Sequence, residues 1–100
     1  MGARAKTAKR EELVGLYDAL LALKSRDEAA AFLRDLCTLP EINALAERYA
    51  VARLLAKDMP YRDVADKVGA STTSVTRVAH WLNHGQGGYR AIISRMYKKT

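Results

Sequence analysis

The chain has 100 residues, 49% of them hydrophobic, with a formal net charge of +6. That length is one small domain, which buries roughly 60–70% of its unfolded surface and gains from a partner subunit. The composition excludes a disordered polar tract. No apolar run reaches the ~20 residues needed to span a bilayer, and the start MGARAKTAKR lacks the apolar core of a secretory signal, so no membrane partner and a cytoplasmic location are expected. Residues 1–66 carry eleven basic and eleven acidic side chains, whereas 67–100 carry six basic ones and no acid. The whole positive excess therefore sits in the C-terminal third, which points to a polyanion, nucleic acid ahead of a membrane surface.

Apolar residues recur at helical spacing throughout and alternating strand patterns are absent, which predicts an all-α chain of about six short helices. Residues 1–8 read as a basic N-terminal arm and 9–100 as a single helical domain. The first helix, about Lys9 to Leu23, aligns Leu13, Leu16, Tyr17, Leu20 and Leu21. Ser25 and Glu28 fit a capping box that opens a second helix to about Leu36, with Ala29, Phe32, Leu33 and Leu36 on its stripe. Pro40 suits the first turn of a third helix to about Lys57, whose candidates for burial are Ile42, Leu45, Ala46, Tyr49, Leu54 and Leu55.

Asp58-Met59-Pro60 starts a short fourth helix ending at Val68, and Gly69 offers a left-handed turn. Ser71 caps a fifth helix to about Asn83, and HGQGG separates it from a last helix near Tyr89. Around Gly69 the spacing is that of a helix-turn-helix at about 60–83. Ala65 must be small where the second helix crosses it, and Val64, Val68, Val75 and Val78 face the core.

The residues not used for packing are then the ones presented outward. Ser71, Thr72, Thr73, Thr76 and Arg77 fall on the outer face and N-terminal end of the fifth helix, where such helices read base edges. Small hydroxyl side chains let a helix sit deep in the major groove, a threonine methyl packs on a thymine methyl, and the Ser71 end offers free amides to a phosphate. Arg62, at the start of the fourth helix, is placed to reach a phosphate or a guanine edge. Lys67, Arg90, Lys98 and Lys99 would add nonspecific attraction. The bland alternative for the hydroxyl residues is capping and solvation.

These residues resemble the Trp repressor superfamily, and within it the YerC/YecD branch of small bacterial DNA-binding proteins. The stretches that carry the resemblance are EINALAER with VARLL, YRDVADKVGASTTSVTRV and LNHGQGGYR. The resemblance implies an intertwined homodimer that presents two reading heads to a palindromic operator in double-stranded DNA, as a transcriptional regulator, a repressor. The leucine stripe of the first helix, more apolar surface than one small chain covers, independently suggests a second copy.

The resemblance also implies a corepressor site between two arginines, beside a glycine on the reading helix. Arg77 matches one arginine, but the other aligns with Glu47, next to Arg48, while Val78 stands at the glycine position and Trp81 at a small one. The valine and the tryptophan ring are expected to fill the pocket, so tryptophan is not expected to bind and a small-molecule corepressor stays an open question.

Catalysis and metal binding are not expected, nor any cofactor. His80 and His84 are one helical turn apart, but no third ligand or acidic partner follows Asp66. Cys37 has no second cysteine, and its bland reading is a small buried or half-buried residue. Trp81 reads as an aromatic packed at a helix seam. The alternative function is a dimeric helical protein-interaction module of the transcription machinery, without sequence-specific DNA binding. It leaves the basic C-terminal third without a role.

Overall fold

The computed structural model describes residues 9–97, and all regular structure among them is helical. The elements are α1 (Arg10–Ala22), α2 (Arg26–Leu36), α3 (Leu39–Ala56), α4 (Tyr61–Val68), α5 (Thr72–His84) and α6 (Gly88–Met96), the expected all-α architecture. The basic arm over 1–8, with Lys98 and Lys99, lies outside the described residues. No described helix is long and apolar enough to cross a membrane. The chain divides between Cys37 and Thr38 into two compact units.

The first unit is α1 and α2. Ser25 caps α2 by accepting the Glu28 amide at 3.0 Å, as the capping-box reading requires. The Glu28 carboxylate reaches one residue further back than expected and accepts the Lys24 amide at 2.9 Å. Neither helix buries a single residue. Leu13 and Leu16 of the predicted apolar stripe of α1 are half-buried, while Tyr17, Leu20 and Leu21 are exposed, Leu21 to 83%.

The second unit begins with a cap that Pro40 obscured. Thr38 accepts the Glu41 amide at 3.2 Å and donates its own amide to the Glu41 carboxylate at 2.7 Å. The Thr38 amide, and then its hydroxyl, hold the Glu41 carboxyl below the usual carboxylate range. A lowered folded-state value means this cap contributes above the ordinary carboxylate pKa and is lost as pH falls through the folded one.

The core is Val51, Ala52, Leu54 and Leu55 of α3, Val64 and Ala65 of α4, and Val75, Val78, Ala79 and Leu82 of α5. Met59, Val68, Tyr89 and Ile93 pack at its edge. Of the burial candidates on α3 only Leu54 and Leu55 belong to it; Leu45 and Ala46 are exposed, and Ile42 and Tyr49 are half-buried. The physical reason is length: α3 runs to about 27 Å and α4 to about 12 Å at ~1.5 Å per residue, so α4 covers the C-terminal half of α3 alone.

Between α3 and α4, Asp58 takes a left-handed φ of 65°, a conformation a short polar side chain tolerates, and its amide donates to the Leu55 carbonyl at 2.9 Å. The α5–α6 connection needs glycine at position 85, where a Cβ would collide with the Trp81 carbonyl and crowd its ring. Three contacts fix α6. The Arg90 guanidinium donates to the Asn83 side-chain oxygen at 2.8 Å, the Tyr49 hydroxyl donates to Met96 Sδ at 3.5 Å, and the Arg53 guanidinium lies 5.0 Å from the Tyr97 ring centroid. Arg90 is thus an interhelical latch, more than the diffuse surface charge expected of it.

Candidate nucleic-acid interface

The reversal between α4 and α5 takes three residues, 69–71. Gly69 adopts φ 81°, and the amides of Gly69 and Ala70 both donate to the Ala65 carbonyl, at 2.8 and 3.0 Å. This is the left-handed helix ending that glycine makes without a Cβ penalty. Val64 and Ala65 enter the core before the turn and Val75 and Val78 after it, the arrangement read from the sequence; Val68 packs at the margin.

Because positions 75, 78, 79 and 82 of α5 point inward, the helical period turns 72, 73, 76, 77, 80 and 84 outward. Thr72, Thr73, Thr76 and Arg77 are all exposed and line one shallow groove together with His80, a residue the sequence reading treated only as half of a metal pair. Arg62, the second residue of α4, is exposed but does not line that groove. Ser71 is first a helix cap. It accepts the Ser74 amide at 3.1 Å and its hydroxyl bonds the Ser74 hydroxyl at 3.1 Å. The first intrahelical bond runs from the Val75 amide to the Ser71 carbonyl, so the amides of Thr72 and Thr73 precede the helical ladder and face outward.

Arg77 also borders a cavity of about 660 Å³ between α3, α5 and the start of α6, with Glu47, Arg48, Val51, Val78 and Trp81 in its walls. The expectation that Val78 and Trp81 fill this space does not hold. Val78 turns into the core, and Trp81 is 53% exposed with its ring edge-on to His80, at 5.4 Å between centroids and 87° between planes. Trp81 is therefore a cavity wall and not a seam residue. Glu47, Arg48 and Arg77 all line this cavity, so residues of both signs of charge border one space.

A buried row on α5 crossing a short α4, with a hydroxyl and arginine face turned outward, defines the class of helical DNA-binding regulators with a helix-turn-helix. The chain belongs to the Trp repressor family, whose description, Trp repressor protein, matches residues 11–97. It is 38% identical over 86 residues to the uncharacterized protein YerC of Bacillus subtilis (strain 168), covering 86% of this chain and 83% of that one. The fold is similar to a crystal structure of a TrpR-like protein from Eubacterium eligens, with TM-score 0.85 and 39% identity over 92% of this chain and 95% of the other. A candidate Trp repressor from Staphylococcus aureus matches with the same TM-score at 36% identity, over 92% of each chain.

Proposed function

We propose that the protein is a cytoplasmic, homodimeric transcriptional repressor that binds a palindromic operator, with residues 9–100 working as one domain and α5 as its reading helix. The observation that carries this reading is the outward face of α5. Thr72, Thr73, Thr76 and Arg77 share a groove on a helix whose opposite face is fully packed, so they serve no fold. Arg62 adds a contact from α4 to a phosphate or guanine edge, and Ser71 sets the helix start whose free amides face a phosphate. The bare leucines of α1 support the homodimer, since a monomer would leave them in water.

Selection of random duplex DNA on the purified protein, at two salt concentrations and with or without a mixture of amino acids, tests this directly. A two-fold-symmetric site is expected, with affinity falling steeply as salt rises. Thr72→Ala and Thr76→Ala should each relax preference at one or two base pairs by about 1 kcal/mol, roughly fivefold, while melting like the parent. Identical enriched sites for the parent and both variants would remove α5 as the reading helix. Sequence-blind, salt-sensitive binding would favour the protein-interaction alternative.

Tryptophan is not the proposed effector. The cavity has room for it, but Glu47 stands where the resemblance implies the second arginine, and a carboxylate repels the ligand's own. Millimolar tryptophan should leave the melting temperature unchanged, as expected for a ligand that does not bind the folded state. A rise of several degrees would overturn that exclusion.

A further inference from the structure

His80 occupies the middle of the outward face of α5. At about 100° per residue it falls between Thr76 and Thr73 around the helix, opposite the buried row of Val75, Val78, Ala79 and Leu82. It is exposed and shares the groove of Thr72, Thr73, Thr76 and Arg77. Along the axis it lies about 12 Å beyond Thr72 and about 6 Å beyond Thr76, at ~1.5 Å per residue. A helix that enters a major groove about 8.5 Å deep with its N-terminal end leading brings its third turn to the phosphate edge. Resting on the proposed DNA-binding reading, we infer that His80 is a further DNA contact, on the phosphate backbone beside Arg77, and that it links operator binding to proton uptake.

The surroundings of the ring support this role. Trp81 meets it edge-on, and the His84 ring lies 5.4 Å away at 47°. The charged groups nearest on its own helix are Arg77 and His84, neither of which offers a negative partner. From α3, Glu47 and Arg48 line the cavity that Trp81 and Arg77 also border, and neither lines the groove of His80. From the α3–α4 turn and α6, Asp58 and Arg90 face a separate cavity beside Asn83, together with Tyr61 of α4. Arg62, Asp63, Asp66 and Lys67 of α4 do not line the groove of His80. No carboxylate lies in that groove, so the negative charge that favours an imidazolium is supplied by a DNA phosphate.

The test is equilibrium binding of the full chain at pH 8 and pH 6, at constant ionic strength, to the duplex that selection enriches and to a mixed-sequence duplex of equal length. Far-ultraviolet circular dichroism at both pH values confirms that each variant is folded. The parent should bind about three- to tenfold more tightly per half-site at pH 6, the size one histidine gains from a phosphate. His80→Gln should abolish that difference, and His84→Gln should keep it. A parent without pH dependence, a His80→Gln variant that retains it, or a His84→Gln variant that loses it overturns the assignment to His80. Sequence-specific binding without pH dependence would leave the repressor reading standing, whereas failure of every protein to bind either duplex would remove both.

Discussion

Ala65→Leu lowers the stability of the helix-turn-helix unit by about 1–3 kcal/mol, the usual cost of forcing extra methylenes into a packed crossing. Ala65 is buried among the valines of α4 and α5, and its carbonyl receives both turn amides. A leucine there has to push α5 outward or strain the Gly69 turn, and either movement displaces the whole Thr72 to Arg77 face. A melting temperature lower by roughly 5–15 °C is expected for a chain of this size. Ala91→Leu, at an exposed position of α6, is the matched control and should change stability by no more than about 0.5 kcal/mol. If Ala65→Leu melts with the parent, α4 and α5 do not cross at Ala65. Because the crossing also aims the reading face, the variant should lose affinity for the selected duplex even below its melting temperature.

The features legible in the sequence were those set by local chemistry. Ser25 and Ser71 announce helix starts through side chains that accept amides three residues on, and Gly69 announces an ending through the one backbone conformation that favours it. The α4–α5 pairing was legible as well, because five apolar positions had to agree in phase across a single turn. What escaped was decided by which helix covers which. Ala52 is fully buried although alanine gives almost no hydrophobic signal, while Leu45 stays exposed although its apolar volume marks it for burial.

The candidate site divides the same way. Thr72, Thr73, Thr76 and Arg77 were legible from the phase of the buried row, and His80 belongs to the same phase, but its spacing from His84 drew attention to metal chemistry instead. The cavity beside Arg77 was misread because a residue's volume does not reveal its direction. Val78 spends its side chain on the core, and Trp81 stands at the wall with half its surface in solvent.

On the proposed homodimer, Leu20→Glu combined with Leu21→Glu is expected to leave a monomer at micromolar concentration. Burying a leucine side chain is worth about 1.5–3 kcal/mol, so two of them in one interface carry much of what a small dimer has available. In a symmetric dimer every substitution acts twice, and each glutamate adds the cost of taking an unpaired charge out of water. The dimer dissociation constant should rise at least a hundredfold, about 3 kcal/mol. Sedimentation or light scattering over a range of concentrations measures this, with Asp18→Asn on α1 as a control that should leave association intact. The parent's melting temperature should rise with protein concentration, and the double variant's should not. On DNA the consequence is sharper than a loss of affinity. A monomer carries one reading head, so selection on the double variant should enrich a half-site in place of a two-fold-symmetric one. A double variant that stays dimeric would mean that the bare leucines of α1 are not the interface. One that becomes monomeric yet still enriches the full palindrome would separate operator symmetry from association in solution.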